Sequence, residues 1–62
     1  MSNNEVEIEV TVKAETNLAM LVDNGTVEVW VPKSQITDEC SENGVISSIF
    51  LRESFAIEKG LV

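Results

Sequence analysis

The sequence predicts a mostly β protein, a small antiparallel meander bent into an SH3-like or OB-like partial barrel. Residues 5–13 alternate polar and apolar side chains without a break, which is the period of a half-buried strand. Asn24-Gly25 separates two apolar runs, a pattern typical of a β-hairpin with a type I′ turn. The 62 residues are enough for one domain with a thin core, expected over 1–62. A flat three-stranded sheet with one covering helix is the alternative.

The first half of the chain predicts three consecutive strands. We expect the first strand over 5–13, preceded by a polar segment, 1–4, that frays. A polar connector follows, and the short apolar run 18–22 favours a second strand over a helix. Residues 26–31 alternate again and predict the third strand. Neighbouring strands with short connections pair, so these three form the meander.

Pro32 ends the pairing of the third strand because proline has no N–H to donate. Residues 32–36 then predict a short 3₁₀ turn that directs Ile36 into the core. The polar segment 37–44 contains Asn43-Gly44 and predicts a solvated, mobile loop.

The last third of the chain predicts a strand and a short helix. Residues 45–51 form the fourth predicted strand, and 53–59 tolerate a helix. Gly60 is well placed to end that helix, with Lys59 at its negative end. Leu61 is then expected to fold back onto the core.

The composition limits the classes of function. Eleven acids against four basic residues give a formal charge of −7, which argues against direct nucleic-acid binding and against an anionic membrane surface. The same charge permits a basic protein partner. No apolar run approaches the ~20 residues of a membrane span, and we see no secretion signal, so we expect a cytoplasmic protein.

Reactive groups are scarce, and the sequence predicts no enzyme. The chain has no His, and its single Cys40 lies among Asp38, Glu39 and Glu42, which oppose thiolate formation. One thiol and no imidazole cannot build a disulfide or a four-ligand zinc site. We expect no metal and no cofactor, and a homodimer remains open as a source of stability for so short a chain.

An acidic strand face is the first candidate binding surface. Glu5, Glu7 and Glu9 share one face of the first strand at intervals of about 6.8 Å, and Glu28 on the third strand adds charge. Such a row can occupy the nucleic-acid groove of a protein by presenting charge where phosphates lie. The alternative is a solvated face that prevents edge-to-edge aggregation.

Trp30 is the second candidate. If Val27, Val29 and Val31 face inward, Trp30 faces outward and resembles an interface anchor. The alternative, which we favour because a small core needs its largest side chain, is that the 32–36 turn or the C-terminal segment covers the ring. In both cases Trp30 should contribute to stability.

Several strings resemble a group of small proteins encoded by bacteriophages and related mobile elements. They are Lys13-Ala14-Glu15-Thr16, Ala19-Met20-Leu21-Val22, Val29-Trp30-Val31-Pro32-Lys33-Ser34-Gln35-Ile36 and Glu58-Lys59-Gly60-Leu61. The group has no established activity, so the resemblance implies a phage context and no site. In that context, small acidic proteins without catalytic residues are often inhibitors of host nucleic-acid machinery, including anti-CRISPR proteins.

Two functions follow as hypotheses. The first is a non-enzymatic inhibitor or regulator that binds the basic surface of a host protein through Glu5, Glu7, Glu9, Glu28 and Trp30. The second is a single-stranded nucleic-acid-binding module of phage replication or recombination, with Lys13, Lys33 and Arg52 on phosphates and Trp30 stacked on a base. A small structural subunit that works as a homodimer is a third possibility.

Overall fold

The protein is mostly β. A computed structural model describes residues 4–62 as two three-stranded antiparallel sheets, one 3₁₀ turn and one short helix. The strands are β1 (Glu5–Glu9), β2 (Thr11–Glu15), β3 (Ala19–Asp23), β4 (Glu28–Pro32), β5 (Ile36–Glu42) and β6 (Val45–Arg52), the 3₁₀ turn spans Lys33–Gln35, and helix α1 spans Glu53–Glu58. Sheet A has the order β1-β6-β5 and sheet B the order β2-β3-β4. The class is confirmed, and the alternative of a single flat sheet is wrong.

The predicted strand over 5–13 is divided at Val10, which is a correction. β1 pairs with β6 and β2 pairs with β3, so the chain passes from sheet A to sheet B at this residue. Val10 is buried, and its N–H donates to the carbonyl of Ser47 at 3.1 Å. The alternation of side chains continues through the bend: Ile8 is buried on one side of it and Val12 packs against the core on the other. The polar–apolar pattern of the sequence therefore does not reveal the bend.

The meander is confirmed, but it consists of β2, β3 and β4. The Asn24-Gly25 hairpin is also confirmed, with a different turn chemistry. The side-chain Oδ1 of Asn24 accepts hydrogen bonds from the N–H groups of Thr26 and Val27, both at 2.9 Å. Among the described residues other than glycine, only Asn43 has a positive φ. The two consecutive positive φ values of a type I′ turn are therefore found at Asn43 (54°) and Gly44 (79°), and not at Asn24-Gly25.

The expectation of a mobile loop over 37–44 is wrong. Residues 36–42 form β5, which pairs with β6, and Asn43-Gly44 closes this hairpin. Every residue of β5 after Ile36 is exposed, because β5 is an edge strand of sheet A. The polar composition reflects that exposure rather than a lack of regular structure. The predicted strand over 45–51 is confirmed as β6, and the 3₁₀ turn is confirmed with Ile36 half-buried against the core.

The C-terminal helix and its ending are confirmed. Gly60 has a φ of 75° and donates its N–H to the carbonyl of Ile57, while Leu61 donates to the carbonyl of Ala56 at 2.8 Å. This pair of bonds is a Schellman ending, which returns the chain toward the core and buries Leu61. The N–H of Glu53 donates to the carbonyl of Asn4 at 2.8 Å. Of the residues 1–4 that we expect to fray, 1–3 lie outside the described part of the chain, and Asn4 accepts this bond from Glu53.

The core lies between the inner faces of the two sheets and is completed by α1 and the C-terminal turn. Its buried apolar residues are Ile8, Val10, Met20, Val22, Val31, Ile49, Leu51, Ala56 and Leu61. Both sheets contribute their inner faces to this one cluster, so their outer faces point to different sides of the molecule. Within residues 4–62, no helix is long and apolar enough to cross a membrane.

Candidate functional site

The outer face of sheet A carries the three predicted glutamates. Glu5, Glu7 and Glu9 are exposed and alternate with inward-facing Val6 and Ile8, as the sequence predicts. The register places eight residues on this surface, which we call the acidic face. They are Glu5, Glu7, Glu9, Ser48, Phe50, Arg52, Asp38 and Cys40. Four carboxylates against one guanidinium give the face a net charge of −3.

The middle glutamate is held in place by a buried hydroxyl. Ser48 Oγ donates to Glu7 Oε2 at 2.6 Å, and Ser48 is only 3% exposed. A hydrogen bond to a carboxylate is among the stronger bonds available to a side chain. The bond keeps the Glu7 carboxylate on the sheet, so its position in the row is set before any partner arrives.

Phe50 occupies the middle of the acidic face and is not among the binding residues predicted from the sequence. It lies opposite Glu7 on β1 and opposite Asp38 on β5, and its ring is half-buried. The signal was available in the alternation of β6. Ile49 and Leu51 are fully buried, so the residue between them must face outward. An aromatic ring between two carboxylates adds an apolar contact to a charged surface.

Trp30 and Glu28 lie on sheet B, away from the three glutamates. Val29 and Val31 face inward, and Trp30 is 48% exposed on the outer face of β4. The favoured interpretation, that the ring is covered, is therefore wrong. The 3₁₀ turn leads on into β5, and Leu61 packs into the core on the inner side, so neither covers the ring.

The surroundings of Trp30 are largely apolar. Trp30 lies opposite Leu21 on β3, and Leu21 lies opposite Ala14 on β2, which makes an apolar row across sheet B. Two residues further along these antiparallel strands, Ala19 lies opposite Pro32 and forms a second apolar pair beside this row. We call the outer side of sheet B the Trp30 face, and its residues are Thr11, Ala14, Ala19, Leu21, Asp23, Glu28, Trp30, Pro32 and Lys13 at the bulge of β2.

The basic residues of the nucleic-acid alternative are not brought together. Lys13 Nζ lies 3.9 Å from Asp23 Oδ2, and Lys33 Nζ lies 2.5 Å from Glu15 Oε2. Arg52 is on the other sheet, opposite Glu5. Each of these three cations has a carboxylate as its neighbour, and the three do not line one surface.

A cleft of about 390 Å³ opens between the two sheets at the 3₁₀ turn. Met20, Ile36 and Ile46 supply its apolar lining, and the Glu15–Lys33 ion pair lies beside them. Cys40 is exposed on the acidic face, opposite Ser48. Among residues 4–62, no group of three His, Cys, Asp or Glu side chains is arranged to hold a metal ion.

Comparisons with family models, with curated proteins and with solved structures find no match to this chain.

Proposed function

We propose that this chain is a non-enzymatic, phage-type protein that binds a basic surface of a host nucleic-acid-processing protein and inhibits or regulates it. The observation that carries the proposal is the acidic face, with its net charge of −3 and the Glu7 carboxylate fixed by Ser48. An anti-CRISPR-like inhibitor or a nucleic-acid mimic in the cytoplasm of the host cell is the form of regulator that this surface suits best.

Electrostatics would supply the first step of binding. A molecule of charge −7 is attracted to a cationic groove, and the local field of the acidic face orients the encounter. Glu5, Glu7 and Glu9 then lie about 6.8 Å apart along the groove. Phe50 adds the apolar contact that rows of charge alone do not provide.

Trp30 and Glu28 take a second role in this proposal. Because they face a different side of the molecule, they contact the same partner only if its groove has two walls. A nucleic-acid channel has that shape. We propose further that the sheets, joined at the Val10 bend, form an SH3-like or OB-like partial barrel, narrow enough to enter such a channel.

The alternative of a single-stranded nucleic-acid-binding module receives less support. A phosphate at Lys13 or Lys33 has to compete with Asp23 or Glu15, and Arg52 lies on the other sheet. Phosphate binding depends on several cations acting together.

Two charge-matched triple variants test the proposal. The site variant carries Glu5→Gln, Glu7→Gln and Glu9→Gln, and the control carries Glu39→Gln, Glu42→Gln and Glu58→Gln, so both have the same net charge. The partner is captured from host lysate with tagged protein, purified, and titrated by calorimetry from about 50 to about 300 mM NaCl. We expect the site variant to lose at least about tenfold in affinity and the control less than about threefold.

Equal losses in both variants would show that net charge alone attracts the partner, and would contradict a defined site. A second assay addresses the alternative function. If the wild-type protein shifts single-stranded DNA in a gel at low salt, and Trp30→Ala abolishes the shift, the nucleic-acid module is the better account.

A further inference from the structure

The Trp30 face is an apolar sheet surface that nothing in residues 4–62 covers. Trp30 is 48% exposed, and Leu21 opposite it is half-buried. Helix α1 packs on β1 and β6 of the other sheet. Exposed aromatic and aliphatic side chains in one contiguous row mark protein contact surfaces.

The charge on this face indicates which occupant it suits. Lys13 and Asp23 form an ion pair, which leaves Glu28 as the one uncompensated charge among the named residues of the face. The acidic face carries −3 and the whole chain −7. A basic partner is therefore attracted elsewhere, whereas a second copy of this acidic chain meets the least repulsion here.

From these observations we infer that the Trp30 face is the contact surface of a homodimer, in which sheet B of one copy packs against sheet B of the other. The twofold axis brings Trp30 and Leu21 of both copies into one apolar layer. The dimer leaves both acidic faces outward, so a partner can still bind there, whereas the second contact proposed for Trp30 and Glu28 requires the monomer.

The size of the face sets the expected affinity. Three five-residue strands span about 17 Å by about 10 Å, whereas a stable interface takes about 800 Å² from each partner. An area of about 800 Å² is about a fifth of the 4209 Å² of accessible surface of this chain. The Trp30 face alone does not supply that much. We therefore expect a weak dimer, with a dissociation constant between about 10 µM and about 1 mM.

Sedimentation equilibrium and tryptophan emission together test the inference. Trp30 is the only tryptophan, so its emission reports on this face alone. Between about 10 µM and about 1 mM protein, the mass should rise toward that of a dimer while the emission moves to shorter wavelength. Raising NaCl from about 50 to about 500 mM should strengthen the dimer because it screens the repulsion between the two copies. Binding through the acidic face should weaken under the same change, so the two proposals fail separately.

Two further variants of equal charge supply the control. Ala14→Glu adds a carboxylate to the Trp30 face, and Val62→Glu adds one at a residue that is 63% exposed and outside the strands and the helix. Ala14→Glu should weaken the dimer at least about fivefold and Val62→Glu less than about twofold, with circular dichroism confirming that both fold. The inference would be overturned if, in about 500 mM NaCl, the mass stayed that of a monomer and the emission wavelength did not change up to about 1 mM protein. Equal effects of the two variants on the dimer would also overturn it.

Discussion

At the scale of single residues, the largest side chain of this protein is not part of its buried core. The largest side chain, Trp30, is half-exposed, while Ile49, Leu51, Val22 and Val31 are the largest that are fully buried. The core is built from medium-sized aliphatic residues. The contribution of each residue to stability should therefore follow its burial and not its size.

Trp30→Ala and Ile49→Ala test this point. We expect Trp30→Ala to lower the free energy of unfolding by about 1–2 kcal/mol, because only part of the ring leaves an apolar environment. Ile49→Ala removes a smaller but fully buried group and should cost about 2–5 kcal/mol. Urea denaturation followed by circular dichroism measures both values. A larger loss for Trp30→Ala would mean that the ring is covered after all.

At the scale of elements, the hairpin of β5 and β6 depends on its turn. Asn43 and Gly44 both have positive φ, a conformation that asparagine tolerates and glycine adopts without strain. Gly44→Ala should therefore cost about 1 kcal/mol of stability, although open space surrounds the added methyl group. Asn43→Gly keeps the required freedom and should change stability by less than about 0.5 kcal/mol. If the two variants unfold at the same urea concentration, the type I′ assignment is wrong.

The sequence predicted elements well where one local signal decides the structure. The alternation over 5–13 predicted extended chain, although not its division at Val10, while Asn24-Gly25 predicted a hairpin and Lys59-Gly60-Leu61 the end of the helix. Segment 37–44 was misjudged because an exposed edge strand has the same polar composition as a loop. Its strand character comes from hydrogen bonds to β6, a tertiary interaction that no local pattern reveals.

The candidate site was predictable one strand at a time, but its assembly was not. The outward direction of Glu5, Glu7 and Glu9 follows from the period of two, and so does that of Trp30. Their separation onto two surfaces depends on the bend at Val10, which the alternation does not mark. Ser48 and Phe50 enter the acidic face only through the pairing of β1 with β6.

At the scale of the whole molecule, the excess of negative charge acts against the compact state. Most of the eleven carboxylates have no basic neighbour to compensate them, since the chain has only four basic side chains. Two of those cations already form the ion pairs Lys13–Asp23 and Lys33–Glu15. The fold therefore contains more repulsion than attraction among its charges.

Salt should consequently stabilise the fold. Raising NaCl from about 20 to about 500 mM screens the repulsion and should increase the free energy of unfolding by about 0.5–1 kcal/mol, which corresponds to about 2–8 °C in Tm. Thermal denaturation at about 1 µM protein, about tenfold below the lowest dissociation constant expected for the dimer, keeps most of the protein monomeric. A Tm that falls with salt would show that the two ion pairs outweigh the repulsion.

The acidic face as the partner-binding surface is the central claim, and a footprint by NMR tests it most directly. Backbone amide shifts of isotope-labelled protein are followed while the captured partner is added. We expect the largest changes on β1, on residues 48–52 of β6 and at Asp38, with smaller changes on β4, which carries Glu28 and Trp30. Changes centred on β4, with β1 unaffected, would contradict the claim.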